Sequence, residues 1–494
     1  MDASRFSNPS DKILNNSDSV RNVIVILIIL LGFLIRLYVC LNTAIVNPDG
    51  PLYIHQARAL YYGQWDQLTS CALNHLSIYP FLIAGAFHVF HDWIIAAKVI
   101  SLFFGTLLLI PAYLLFRSFF ERHVSAAATL TVALIPVLVT RSADVVRDPV
   151  AWFFALLGLS LFVFQYRQRS RTFVILSSIS YLVAAATRVE YSLFLILSFL
   201  FILFREREMK LEKLLYFAIP IAATVFFALL GAKILDSSIH TIFRVDEILQ
   251  KWKEPLLSYK ALRANLDFLS SQPVTGTLEL FLEKAGNLVW LVGLGTLVVY
   301  IIKAFFYPFF LIFLLGFKGI PAGMKKDRAV TYLLMLSGAA LLLLYLHIVQ
   351  AWFASSRFFV FFMLPSLILL GYGLEETVRI LRSRFRLNAK VALTVVFLFV
   401  MAFGLPKNLK PRETDKLVFI NIGEFMAMRE GNAGMIKVAS SLHILRWTSF
   451  YANLHYQGAP CPQPLDLNNL IGKSYGEFLH NLRKEGIKYF LWEE

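Results

Sequence analysis

Charge is scarce in this chain. Only 16% of its 494 residues are Asp, Glu, Lys or Arg, against roughly 25% in soluble domains, which excludes an ordinary water-facing globule. Cysteine is scarcer: Cys40, Cys71 and Cys461 stand far apart with no CxxC pair, so no structural zinc site can be assembled from them. Cys71 and Cys461 can both face outside, which leaves a bridge open; unpaired thiols are the simpler reading. There is no GxxxxGK(S/T), GxGxxG or HExxH. That removes the phosphate cradle of a nucleotide-driven pump and the metal grip of a zinc protease. The sequence also shows no internal repeat and no low-complexity tract.

What it has instead is apolar length. Hydrophobic residues make up 58% of the chain, with 45 phenylalanines. They fall in blocks of about 20 residues, enough to cross a hydrocarbon core of roughly 30 Å. The formal charge of +15 could suggest nucleic acid, but its placement says otherwise. Arg167, Arg169 and Arg171, then Lys318, Lys325, Lys326 and Arg328, then Arg379, Arg382, Arg384, Arg386 and Lys390 all fall in short turns between apolar blocks. This is the excess that keeps loops cytoplasmic during insertion. The segment Pro406–Glu494 carries 11 Lys and Arg against 9 Asp and Glu, and no face of it reads as basic.

The expected organisation is an all-α polytopic membrane protein of about eleven spans with a small C-terminal α/β domain outside. Residues 1–22 read as a polar cytoplasmic leader, 23–405 as the membrane domain and 406–494 as the outer domain. The first run, Val23–Leu41, is too long for a signal-peptide core and reads as an uncleaved span. Outer loops are expected at 42–92 and 235–285. Tyr79–Phe90 is short and reads as interfacial or re-entrant. Asn287–Phe317 is too long for one straight span and reads as an interfacial helix followed by one crossing, since two would put Lys318–Arg328 outside. In the tail, Met435–Ser440 and Ile487–Trp492 read as strands and Ser474–Glu485 as a helix closed by Gly486.

With the N-terminus inside, Asp49, Tyr53, His55, Arg58, His75, Arg141, Asp144, Arg147, Asp148, Arg188, Glu190 and Arg357 all fall at one membrane face. Ionisable groups at membrane depth are costly, so they are functional candidates. Arginine offers bidentate donors to a phosphate, and a carboxylate can take the proton of an acceptor hydroxyl. Each has a plainer reading. Asp49 lies in a Pro-Asp-Gly turn. Asp148 precedes Pro149, a usual helix start. Arg58, Arg141 and Arg357 suit snorkelling to lipid phosphates. His75 alone suits a satisfied polar residue, and the tyrosines suit an interfacial belt. It is their gathering at one face that favours function.

The order of features resembles the GT-C superfamily of integral-membrane glycosyltransferases, and within it the protein O-mannosyltransferase and lipid A aminoarabinose transferase group. The stretch PDGPLYIHQARALYYGQW is similar to the first-loop signature, with Asp49 on the catalytic aspartate. VVRDPVAWFF is similar to the second-loop Asp-Pro signature, with Asp148 on its acid. AAATRVEYSLFLIL and SRFFVFFMLPSLILL resemble two later signatures, and SFYANLHYQGAP resembles part of the outer domain. Two positions depart: the acidic pair is Asp49–Gly50, and the Lys-Pro-Pro that helps hold the donor phosphate is His75–Leu76–Ser77. The phosphate-holding cation is then His75, Arg188 or Arg357. The resemblance implies a sugar carried on a polyprenyl phosphate and an inverting transfer at the outer face of a bacterial inner membrane. The acceptor would be a lipid, glycan or protein, and membrane lipids surround the chain. Asp49 would be the base and Asp148 would orient an arginine or the acceptor, or help hold a divalent ion. No cofactor is certain and no nucleic acid is expected. The competing readings are a non-catalytic polyprenyl-lipid binder or flipper, and a secondary transporter.

Overall fold

In the computed structural model the described residues are 19–491, apart from 74, 169, 207–208, 235–244, 273–275, 432–433, 441–445, 463–464, 467–469 and 471–473. Most of the expected leader and the start of the second outer loop lie outside them.

The membrane body begins with α1 (Ser19–Leu41), followed by the shorter α2 (Gly50–Tyr61) and α3 (Ile78–Phe90). Next come α4 (Trp93–Leu107), α5 (Leu109–Arg117), α6 (Arg122–Leu134), α7 (Pro136–Ser142), α8 (Asp148–Gln168), α9 (Arg171–Thr187), α10 (Ser192–Arg205) and α11 (Lys210–Ile234). The second half holds α12 (Val245–Ser270), α13 (Thr277–Phe305), α14 (Tyr307–Leu315), α15 (Ile320–Lys326), α16 (Arg328–Ala351), α17 (Val360–Arg384) and α18 (Ala389–Asn408).

Among the described residues nine helical stretches are long and apolar enough to cross a membrane, or ten with α6 and α7 joined. The chain is an integral membrane protein. The eleven expected crossings are recovered if α9 and α10 are counted and α13–α14 is taken as one crossing. Contacts favour that count. Tyr300 of α13 stacks on Phe359, at the start of α17, with ring centroids 5.4 Å apart. Lys318 pairs with Glu376, near the other end of α17, at 3.2 Å. The chain therefore descends along α17 between residues 300 and 318, and the earlier part of α13 stays at the Asp49 end. Gly316 and Gly373 allow this descent, since a Cβ on either would collide with the backbone of the facing helix.

Pro136 breaks the α6–α7 span, and the two pieces bend by 58°. A break inside a bilayer frees carbonyls that water cannot reach, so other groups must satisfy them. Arg36 Nη1 donates to Ala133 O at 3.1 Å, and Asn408 Nδ2 donates to Leu134 O at 2.9 Å. The α7 stub is thereby held in a fixed direction, and the loop leading to α8 starts from it.

The tail contains α19 (Leu417–Glu430), α20 (Arg446–Ala452) and α21 (Tyr475–Lys484). Among its described residues three short strands, β1 (Val438–Ser440), β2 (Leu465–Asp466) and β3 (Tyr489–Leu491), form a parallel sheet in the order β2–β1–β3. The expected strand–helix–strand pattern is present, with Ser474 capping α21 and Gly486 at positive φ just beyond it. The strand β2 had no clear sequence signal.

The unpaired-thiol reading is corrected, because Cys71 and Cys461 form a disulfide. The tail also grips the first loop at Trp447 Nε1, which donates to Val46 O at 2.9 Å. Phe450 and Tyr451 pack with Ile54, Ala57 and Tyr79 in one cluster.

Candidate active site

Asp49 opens α2, with a proline in the first turn, but its carboxylate makes no capping hydrogen bond. Its backbone N–H is held by Asn47 Oδ1 at 3.1 Å. The carboxylate instead meets Arg357, with Nη2 donating to Oδ2 at 2.7 Å. The turn-cap reading of Asp49 therefore does not describe its side chain.

Asp148 begins α8 and its side chain is 1% exposed. Arg188 Nη1 bonds one of its oxygens, and Arg357 Nη1 lies 3.9 Å from the other. Arg188 Nε donates to Glu190 Oε1 at 2.7 Å. These contacts form a continuous chain, Asp49–Arg357–Asp148–Arg188–Glu190, drawn from the first loop, α8, the α9–α10 turn and the turn before α17. Three carboxylates face two guanidiniums. Burial alone would depress the Arg188 pKa, but Asp148 and Glu190 outweigh it and hold the group above its ordinary value. Phe358 gives both guanidiniums an aromatic neighbour, with Arg188 5.3 Å and Arg357 5.4 Å from its ring centroid.

Arg147 stands beside this chain on a second arm. Its Nη1 is 3.0 Å from His75 Nε2, and its guanidinium lies 5.8 Å from the Tyr53 ring centroid. Tyr53 is buried, which raises its pKa, and its ring meets Tyr79 edge-on at 5.5 Å. His75 leads into α3, whose N-cap is Ser77. The Ser77 hydroxyl is buried and has no hydrogen-bond partner among the described residues. Arg147 has no carboxylate partner among the described residues, unlike Arg141, Arg188 and Arg357.

The remaining candidates do other things. Arg141 pairs with Asp144 at 3.2 Å. Asp144 Oδ1 also accepts from the Asn47 and Val145 N–H groups at 2.7 and 2.8 Å, tying the first loop to the second. Burial pushes the Asp144 carboxyl up from its ordinary range, with Arg141 opposing. His55 and Arg58 face the tail. The two ring nitrogens of His55 sit against Pro460 O at 3.1 Å and Gln67 O at 2.9 Å. Arg58 donates to the carbonyls of Gly458, Asn453 and Tyr456, and burial pushes its pKa down to about 10. A small cavity lined by His55, Arg58, Phe450 and Cys461 belongs to this clamp and holds none of the Asp49 chain.

One residue at the site escaped sequence reasoning. Arg446, from the tail, donates to Pro48 O at 3.1 Å, one residue before Asp49. Nothing in its local sequence marks it.

Among the described residues no group of three or more His, Cys, Asp or Glu could hold a metal ion. Asp49 and Asp148 share Arg357 between them, and Asp148 also takes Arg188. Guanidiniums fill the positions a divalent ion would need, so the donor set does not fit one.

No protein-family model and no curated protein sequence matches this chain. Solved structures do. An oligosaccharyltransferase from Archaeoglobus fulgidus, in complex with Zn and sulfate, superposes with a TM-score of 0.58 at 14% identity, covering 94% of this chain and 68% of that one. ArnT from Cupriavidus metallidurans, in the apo state, superposes with a TM-score of 0.60 at 12% identity, covering 94% of this chain and 89% of that one. The same ArnT bound to undecaprenyl phosphate gives 0.56 at 12% identity over 94% and 89%. These likenesses, all at 14% identity or less, show that the chain shares the fold of these two proteins.

Proposed function

We propose that the chain is a glycosyltransferase that moves a sugar from a polyprenyl-phosphate-linked donor to an acceptor hydroxyl, with inversion, at the outer face of a bacterial inner membrane. The observation that carries the reading is the carboxylate of Asp49, released from its helix and placed in a line of opposite charges anchored on the buried Asp148. Such an arrangement is costly to bury and is not needed to cap α2. ArnT, one of the similar structures, is bound to undecaprenyl phosphate, and the archaeal enzyme AglB is in complex with a dolichol-phosphate; both support a donor of that class.

The chemistry follows from the charges. Asp49 accepts the proton of the acceptor hydroxyl as its oxygen bonds the anomeric carbon. The bond from that carbon to the phosphate oxygen breaks on the opposite face, which inverts the configuration. The departing polyprenyl phosphate gains one negative charge and needs no proton, so a single carboxylate suffices, unlike the pair used in glycoside hydrolysis. Arg147 supplies the compensating charge, since among the described residues no carboxylate forms a direct ion pair with its guanidinium. His75 and the Ser77 hydroxyl at the α3 N-terminus add donors for the same phosphate. Asp148 fixes Arg357 and Arg188, so Arg357 can in turn hold Asp49 in one rotamer. Asp49 and Asp148 thus have separate jobs, base and anchor.

The test is turnover by the full chain in vesicles supplied with polyprenyl-phosphate sugars and the membrane's own acceptors. Release of polyprenyl phosphate, with a product of inverted anomeric configuration, is expected. Tight binding of the lipid with no sugar released across a panel of donors would favour the non-catalytic lipid binder.

A further inference from the structure

The backbone that carries Asp49 is held atom by atom. Val46 O accepts from Trp447 Nε1 at 2.9 Å. The Asn47 N–H donates to Asp144 Oδ1 at 2.7 Å, and Asn47 O accepts from the Gly50 N–H at 2.8 Å. Pro48 has no N–H to offer, and its carbonyl accepts from Arg446 Nη1 at 3.1 Å. The Asp49 N–H donates to Asn47 Oδ1 at 3.1 Å. Every backbone donor and acceptor from Val46 O to the Asp49 N–H is therefore engaged. The carbonyls on either side of Asn47 are taken by consecutive residues of the tail. The Asp49 side chain itself is 35% exposed and meets Arg357, so the backbone does more than packing to aim it.

The two tail donors sit at the start of α20, and that helix is fixed at both ends. At its far end Arg58 donates to Asn453 O at 3.1 Å, and Asn453 Nδ2 donates to Ile436 O at 2.9 Å. Along its length α19 packs so closely that a Cβ on Gly423 would come within 2.6 Å of the Tyr451 Cβ. At its near end the Trp447 ring is 3% exposed, with the Phe419 ring centroid 5.5 Å away and Lys416 Nζ 5.2 Å from its own centroid. Burial lowers the Arg446 pKa and the Asp49 carboxylate opposes that shift, which keeps a cation beside the base. The arm is rigid, and its tip is the loop that bears Asp49.

We propose that Arg446 and Trp447 are positioning residues for Asp49, through which the outer domain sets the direction of the base, so that sugar transfer requires the docked tail. The inference rests on the reading of Asp49 as the base. Neither residue touches the reacting atoms. Each acts through a carbonyl, and a misplacement of about 1 Å at a reacting group can cost roughly 10²-fold in rate.

Arg446→Met and Trp447→Phe remove one donor each and keep most of the side-chain volume. Both full chains, in vesicles with a polyprenyl-phosphate sugar that the native chain turns over, should lose kcat by roughly ten- to hundredfold, with KM for that lipid unchanged. Groups that act as one unit are not additive, so Arg446→Met placed in an Asp49→Asn chain should lower the residual rate by less than about twofold. Backbone hydrogen exchange supplies a readout without turnover: residues 47–53 should exchange faster in Arg446→Met than in the native chain, while α8 and α17 exchange as before. A native chain that transfers no sugar would sink the glycosyltransferase reading and leave the exchange result to decide the clamp. Native kcat in both single variants, a further loss of roughly tenfold in the Asp49→Asn chain, or native exchange at residues 47–53 would overturn the proposal.

Discussion

Replacing Arg188 by methionine strands the Asp148 carboxylate. In the native site that side chain is 1% exposed and pairs with Arg188. Its next cation, Arg357 Nη1, is 3.9 Å away and is shared with Asp49. Removing one partner of a buried pair costs about 3–5 kcal/mol, because the remaining charge is left in a poor solvent. Arg357 offsets part of that, so about 3 kcal/mol is expected for Arg188→Met. Adding Asp148→Leu removes the stranded charge, and the double variant should be more stable than Arg188→Met alone. Unfolding of the purified chain in mixed micelles, titrated with SDS and followed by helix content, gives both values. A single variant within about 1 kcal/mol of the native chain, the range of exposed pairs, would refute the claim that Asp148 is sealed from water. So would a double variant less stable than the single.

The second arm makes a kinetic prediction. Arg147→Ala should raise KM for the lipid donor roughly ten- to hundredfold, the loss of a charge-assisted hydrogen bond, while melting unchanged; a KM that does not move would take the phosphate away from this residue. The clamp makes a structural one. Cys71→Ala with Cys461→Ala opens a link between positions 390 apart in sequence and should cost roughly 2–4 kcal/mol, seen first as faster proteolysis near residues 446–461; unchanged proteolysis contradicts the clamp. His55 predicts a pH effect. Burial holds its pKa below its ordinary value of 6.5, against the pull of its two carbonyl neighbours. The unfolded chain therefore binds more protons in the window just below 6.5, and stability is lost as pH falls through the folded value. A His55→Gln chain should lose less stability between pH 7.5 and 5 than the native chain; identical acid limbs would refute this.

What the sequence made legible was what local composition encodes. Apolar blocks marked the spans, and the single crossing of residues 287–317 could be inferred from Lys318–Arg328 because charge, not length, sets loop side. Asp49, Asp148, Arg188 and Arg357 could be gathered at one face because each ends or begins a span. The partners within that face were not legible. His55 and Arg58 share α2 with Asp49's loop, yet both turn to carbonyls some 400 positions away, and carbonyls leave no mark in a sequence. The Cys71–Cys461 bridge and Arg446 were hidden for the same reason, since the tail's docking depends on packing among Trp447, Phe450 and the first loop. The bend at Pro136 was invisible as a bend, because its stabilisers, Arg36 and Asn408, come from the first and last spans.

The most direct test compares Asp49→Asn and Asp49→Glu with the native chain, measuring sugar transfer and polyprenyl-phosphate binding on the same vesicle preparations. Asparagine keeps the shape but cannot take a proton, so transfer should fall by roughly 10²–10⁴-fold with lipid binding within about threefold. Glutamate should restore a measurable part of the rate. Transfer at the native rate by Asp49→Asn would contradict the account at its centre.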